Sequence, residues 1–255
     1  MAIINSISQI KKVNGVPFVI WCYWSGSSMN ENRLLSLDLL VKNIGVPVFL
    51  INETNLKQIE IPNHPFHRAF PYLSAVHQSD YIRIYLLQHY GGGWHDIKAT
   101  KVSFKDVWSE FINPNIYLIG RQERVGGPAA VFDEEDRWMP DFWQDLISVT
   151  SWVGRSDTKL SQAMLLEIEK LLDRNFELLK KYPAKHAREK KVIGKTFISK
   201  SIVKFRNLLT GRNNNYPLPW TVFGNIFHPL NYKFKDHVNF NLPKDKIKNA
   251  GIYHR

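Results

Sequence analysis

Cysteine occurs once in the 255 residues, as Cys22. A lone thiol closes no intrachain disulfide and builds no cysteine-based zinc site, which points to a reducing, cytoplasmic setting. Long apolar runs are also missing. No stretch approaches the roughly 20 residues that a membrane-spanning helix needs. Residues 1–14 lack the apolar core of a secretory leader. The expectation is a protein that is soluble or bound peripherally at a membrane surface. Acidic residues are scarce, with 23 Asp and Glu against 34 Lys and Arg and a net charge of +11. That imbalance favours anionic partners: nucleotides, acidic glycans, anionic lipid or nucleic acid. The chain has no G-x-x-x-x-G-K-[ST] phosphate loop, no G-x-S-x-G elbow and no H-E-x-x-H pair, which removes three large enzyme classes. It also has no internal repeat or low-complexity tract.

What is present alternates between strand and helix. Val16 to Trp21 is a short apolar run, read as a buried first strand, and Cys22 to Ser27 continues it as a loop of aromatic and small residues. Asn30 to Asn43 reads as a helix with Leu34, Leu37, Val41 and Ile44 on one face and Gly45 as its stop, followed by a second strand over Val46 to Asn52. Two further strands are expected at Asn115 to Arg121 and Gly127 to Phe132. The acids from Asp133 to Asp136 read as a solvated turn. Thr158 to Tyr182 is a strongly amphipathic helix, capped by Ser156 or Asp157 and ended by Pro183. These elements imply an α/β fold with a mainly parallel sheet flanked by helices. One domain spans 1–255, with a ligand-binding core at about 14–135 and a helical C-terminal portion at about 136–255. Ligands of such folds sit beyond the carboxyl ends of the strands, an edge that Tyr23 to Gly26 and Asp96 would share.

The densest signal lies between Ser79 and Lys98. Ser79 reads as an N-cap, with Ile82, Leu86 and Tyr90 at helical spacing toward the core and Asp80, Arg83 and Leu87 grouped on another face. Gly91 suits a left-handed C-terminal cap, and Gly92 and Gly93 let backbone pass close to a ligand. Asp96 and Lys98 then point to one side of an extended segment. Taken singly, an Asp-Arg pair at i,i+3 is a surface ion pair and a glycine run is a turn. Their order and spacing together are what suggest a site.

This block resembles the glycosyltransferases with an Asp-x-Asp sugar-binding region, the capsular-polysaccharide and mannosyltransferase-like group, whose pattern is roughly S-D-x-x-R-x-x-x-L-x-x-x-G-G-x-[YW]-x-D-x-D. The opening Val19-Ile20-Trp21-Cys22-Tyr23-Trp24 is similar to that group's I-I-W-x-x-W. The likeness covers about Val16 to Val102. It implies a GT-A-like domain that transfers a hexosyl unit from a nucleotide-sugar, with retention, to a surface polysaccharide, a lipid-linked saccharide or another glycan. In that frame Trp21, Tyr23, Trp24, Asp80, Arg83, Gly92, Gly93 and Asp96 would bind the donor. Asp96 and Lys98 would act at the reacting end. The sequence offers no convincing nucleophile, so the acceptor would attack on the face from which the diphosphate leaves.

The departure is Lys98, at the position where the group carries a second acid that helps hold manganese or magnesium. A charged lysine cannot ligate a hard cation. Three readings stay open: Lys98 itself meets the diphosphate; Asp96 still holds a metal with a distant ligand, for which His228 is the candidate; or the protein is an inactive glycan- or nucleotide-binding homologue. The cluster from Pro217 to Leu230, with Trp220, Thr221 and Asn225, reads either as an acceptor-side closing loop or as a hydrophobic tail on the sheet. The stretch from Lys180 to Arg206 carries ten cations against Glu189 alone, with Ile198, Ile202, Phe205 and Leu209 at helical spacing. It is either a helix lying on an anionic membrane, which would place the protein on the inner face, or an ordinary helix packed on the domain by one stripe. A nucleic-acid-binding protein is the remaining alternative. No nucleic acid is expected, because the charge lies away from the aromatic strands and no recognition module is present.

Overall fold

The computed structural model describes residues 3–127, 140–192 and 196–245. Asn14 and Gly15 both take positive φ (50° and 80°), which closes a tight hairpin between β1 (Lys12–Val13) and β2 (Val16–Pro17). The chain then enters β3 (Ile20–Tyr23), α1 (Glu31–Asn43), β4 (Val48–Ile51), α2 (Ala75–His89) and β5 (Gly92–His95). Next come β6 (Leu118–Gln122), β7 (Ile147–Gly154), α3 (Lys159–Lys181), α4 (Phe197–Leu209), α5 (Val222–Lys233) and β8 (Val238–Asn239).

Six strands form one sheet in the order β4-β3-β5-β7-β6-β8. β7 alone runs antiparallel to its neighbours, and the β4-β3-β5 and β6-β8 pairings are parallel. This is the mainly parallel, helix-flanked α/β architecture expected above. The sheet separates two apolar cores. One is built with α2, α3 and α5, and includes Trp21, Trp94, Trp152 and Phe227. The other is built with α1 and the 3-10 segment Lys105–Ile112, and includes Ile20, Leu40, Trp108 and Phe111.

From β3 the chain crosses through α1 to β4 on one side, then through α2 to β5 on the other. The connections therefore diverge between β3 and β5. At that point the loops at the carboxyl ends of the two strands part and leave a crevice, the standard ligand position in an open α/β sheet.

Several expectations shift. α2 starts one turn earlier than the sequence reading had it: Ser74, not Ser79, is the N-cap, and its Oγ accepts from His77 N–H. Ser79 is thereby released to face Arg83. α3 is capped by Thr158, whose hydroxyl and Ser161 bond reciprocally, rather than by Ser156 or Asp157. On α1 the inward face is Arg33, Ser36, Leu37 and Leu40, while Leu34 is 53% exposed. The strand expected over Gly127 to Phe132 and the acids Asp133 to Asp136 fall outside the described residues, Gly127 apart, which is in a turn region.

Gly91 ends α2 as the left-handed residue, with φ +74° and its N–H on Leu86 O. Gly93 pairs with Ile20 of β3 and Val153 of β7, Gly92 pairs with Gly154 of β7, and the close approach they permit is to protein rather than ligand. A Cβ on Gly93 would overlap Ile20 Cδ1 of β3 and touch Trp108. Gly93→Ala is therefore expected to cost about 1–3 kcal/mol. The urea midpoint reports it, and an unchanged midpoint would mean that Ile20 moves aside freely.

Candidate functional site

α2 carries Asp80 and Arg83 one turn apart on the face that meets the end of β5. Arg83 Nη2 lies 3.3 Å from Asp80 Oδ1 and 3.8 Å from Asp96 Oδ1. The guanidinium also donates to Val149 O on β7 (3.1 Å) and to Ser79 Oγ (3.2 Å). It sits between two rings, 4.8 Å from the Trp94 centroid and 4.6 Å from that of Phe223. Five donors in a rigid fork suit this position, which a lysine could not fill.

Asp96 follows β5 immediately. Its Oδ1 accepts from Trp94 Nε1 (3.2 Å), and its Oδ2 lies 3.3 Å from Lys98 Nζ. The carboxylate thus stands between two cations and an indole N–H. The two acids of the cluster are driven apart. Burial raises Asp80 to about 6 and outweighs the opposing pull of Arg83 and of Phe223 N–H. At Asp96 burial also pushes upward, but Lys98 and Arg83 outweigh it and hold the carboxyl below its usual value. Asp96 is the ionised partner at neutral pH, and Asp80 is the one poised to take a proton in mild acid.

These groups open onto a cavity of about 240 Å³ in the crevice between β3 and β5. From the β3 side come Tyr23, Trp24 and Ser25, from the β5 side Trp94, Asp96, Ile97 and Lys98, and from α2 Ser79 and Arg83. Arg33, Arg188 and Trp220 complete the wall. Arg33 Nη1 donates to Ile97 O (2.8 Å) and lies over the Trp24 ring, which ties the loop after β5 to α1. A second hollow of about 430 Å³ shares Ser25, Ala75 and Ala187 with the first and extends past Gly26 to Glu53, whose Oε1 accepts from Gly26 N–H (2.9 Å). The two together form an elongated cleft.

Of the residues expected at the site, Tyr23, Trp24, Arg83, Asp96, Lys98 and Trp220 line the cavity, and Asp80 stands behind Arg83. Trp21 does not reach it. It is 1% exposed, donates to Gly91 O (2.8 Å) and packs on Phe49 and Tyr90. Gly92 and Gly93 are likewise interior. Thr221 and Asn225 bond each other on the exposed first turn of α5 and are not among the lining residues. His228 is buried on α5, with Nε2 3.6 Å from Glu123 Oε2, and does not line the cavity that holds Asp96.

A hard divalent cation asks for several oxygen ligands. Both Asp96 oxygens already face cations or an N–H donor, Lys98 stands where a second acid would be needed, and Asp96 is the one acid among the described residues lining the cavity. This donor set does not fit such a metal.

Sequence reasoning missed Arg33, Trp94 and Arg188. Arg33 had a signal: it stands four residues before Leu37 and seven before Leu40, a cation on the buried stripe of α1. His77 was missed as well. It is 1% exposed, with Nδ1 2.8 Å from Tyr216 Oη and Nε2 donating to Pro219 O (2.8 Å), so it pins the loop that carries Trp220.

Burial lowers both His77 and His95 to about 4. Their neutral forms are the folded ones, so their contribution is complete above the unfolded value near 6.5 and is lost as pH falls toward 4. Each is worth about 3 kcal/mol across that window, and Asp80, raised to about 6, offsets about one such share because it stabilises on acidification. Lowered His89, His186, Asp96 and Glu123 act in the same sense, so a loss of at least about 3 kcal/mol between pH 6.5 and 4 is expected in urea unfolding. A flat profile would contradict the buried neutral histidines.

A family model described as capsular polysaccharide synthesis protein matches residues 3–131, half of the chain. No curated protein matches. Among solved structures, the PaToxG glycosyltransferase is similar over 65% of this chain and 64% of its own, at 15% identity and a TM-score of 0.33, so this chain spans just under two thirds of that protein's length.

Proposed function

The chain belongs to the capsular polysaccharide synthesis protein family, and on that premise we propose that it is a nucleotide-sugar-dependent glycosyltransferase of surface-polysaccharide assembly. The observation that carries the reading is the ionised Asp96, held between Lys98 and Arg83 at the mouth of a cleft formed where the strand connections diverge. A sugar nucleotide has three parts to satisfy. The base and ribose suit the stretch of the cleft that runs from Tyr23 and Ser25 past Gly26 to Glu53. The diphosphate suits Lys98, Arg33 and Arg188. The hexosyl hydroxyls suit Asp96, with Arg83 fixing its orientation.

In the transfer the bond between the anomeric carbon and the diphosphate oxygen breaks, and the acceptor oxygen bonds that carbon. Charge builds on the departing diphosphate, so preorganised cations act where it develops. We assign that work to Lys98 and the two arginines in place of a divalent metal. The resemblance implies retention, and Asp96, the one acid among the described lining residues, is taken up by Lys98, Arg83 and Trp94 rather than placed as a nucleophile. On this reading the acceptor enters on the face the diphosphate leaves, and the acceptor hydroxyl proton passes to a diphosphate oxygen. Trp220, on the loop pinned by His77, helps keep water from the anomeric carbon.

A thermal-shift panel of sugar nucleotides and nucleoside diphosphates, run with manganese and with chelator, tests this directly. Ligand that binds the native state raises Tm by mass action. The expected result is a rise with one sugar nucleotide that persists in chelator, together with release of its nucleoside diphosphate when acceptor is supplied. Binding without turnover would instead identify an inactive nucleotide-binding homologue.

A further inference from the structure

α4 departs from the packed-stripe reading of its sequence. Phe197, Ile198, Ile202, Phe205, Leu208 and Leu209 are between 63% and 86% exposed, while Asn207 is the buried residue of the helix. At 3.6 residues per turn these six apolar side chains fall within one continuous face, opposite Asn207 and Val203. Lys204 borders that face on one side and Arg206 on the other, with Lys200 beyond Lys204. Asn207 Nδ2 bonds Asn214 Oδ1 (2.9 Å) on the segment that follows the helix and Thr196 caps the first turn, so the helix turns its polar side to that segment and presents its apolar side outward.

Beneath α4 runs a groove of about 420 Å³ lined by Arg188, Lys190, Lys191, Arg206 and Arg212. Its one acid, Glu189, is 1% exposed and turned into the fold, where Oε2 accepts from Asn213 N–H (2.9 Å). From Glu189 to Asp236 the sequence carries no other acid. Arg188 and Trp220 line both this groove and the cavity holding Asp96.

We propose that α4 is an interfacial helix that seats this protein on a bilayer containing anionic lipid, its apolar face among the acyl chains and the basic groove against the headgroups. The charge decides the occupant. A second copy meeting face to face would oppose the same cations to themselves. An anionic surface neutralises them, and the basic flanks can extend outward to the headgroups. A helix of 13 residues is about 20 Å long, too short to span and suited to lying in the plane. On the glycosyltransferase reading, this seat turns the Trp220 side of the cleft to the membrane and selects a lipid-linked acceptor. The docking itself does not depend on that reading, and its test is blind to turnover.

The test is co-sedimentation of the full chain with vesicles of phosphatidylcholine alone and of equal parts phosphatidylcholine and phosphatidylglycerol. Binding is expected only to the mixed vesicles, weakening as salt rises. The double substitution Ile202→Ser, Phe205→Ser is expected to lower the partition coefficient at least roughly tenfold, because both side chains are already exposed in the free protein and their burial is gained in the bilayer. Lys200→Glu with Lys204→Glu is expected to weaken the anionic preference, the groove cations being left in place. The Tm of each variant should match the parent. No binding to the mixed vesicles, or equal binding by the serine variant, overturns the proposal. So does a concentration-dependent dimer in light scattering that the serine variant loses, which assigns the face to a second copy.

Discussion

Replacing Asp96 with Asn is expected to lower turnover about a thousandfold, the scale seen when one preorganised electrostatic partner is removed from a reacting centre. The substitution keeps the shape and leaves an oxygen for Trp94 Nε1 to reach. What it removes is the negative charge that orients Lys98 at 3.3 Å and Arg83 at 3.8 Å. Without it Lys98 loses the carboxylate that orients it, and the sugar loses its strongest acceptor. The expected split is a large fall in kcat with a modest change in donor affinity, because Arg33 and Arg188 remain. Asp96 is partly buried and its ionised form is favoured in the fold, so Tm should fall modestly. Turnover within a few-fold of the parent, on a donor shown to bind, would remove Asp96 from the reaction.

The second large effect is on stability. Arg83→Met leaves Asp80, 5% exposed, without its guanidinium and leaves Val149 O without a donor. Breaking one side of a buried pair costs about 3–5 kcal/mol. Methionine fills a similar slot between Trp94 and Phe223, so lost volume is not the cause. The charge account carries a signature that packing does not. Asp80 already has a raised folded value, about 6, and loss of Arg83 raises it further. A raised carboxyl stabilises the folded state at low pH and loses that contribution as pH rises through its folded value. The deficit of Arg83→Met should therefore be larger at pH 8 than at pH 5. An equal deficit at both would point to packing alone.

The part of this molecule legible in its sequence is the part where local pattern and tertiary role coincide. The apolar run of β4, the 3.6-residue period of α3 and the positive-φ glycine after α2 each state their structure locally, whereas the run Val16 to Trp21, read as one strand, is divided between β2 and β3, and β3 continues through Cys22 and Tyr23, which were read as loop. The Asp80, Arg83, Asp96 and Lys98 cluster was visible as spacing. Other features depend on partners far along the chain. β7 alternates only weakly and carries Ser, Thr and Trp, yet it occupies the middle of the sheet because β5 and β6 both pair with it. Trp21 and Trp24 are equivalent by composition. The end of β3 separates them, leaving Trp21 in the core and Trp24 at the cleft. The start of α2 was misplaced because Ser74 and Ser79 are equally good caps in sequence, and Tyr216, which bonds Ser74 N–H, decides between them. For α4 the period gives the stripe but not what lies against it.

The measurement that bears most directly on the account is calorimetric titration of nucleoside diphosphates into the parent protein and Lys98→Ala, in chelator throughout. Lys98 is held to do electrostatic work that a second acid and its metal would otherwise do. The expected result is saturable one-to-one binding by the parent without metal, weakened about tenfold or more in Lys98→Ala, the scale of one charge-assisted contact to phosphate. Binding that requires manganese, with Lys98→Ala equal to the parent, would contradict the claim.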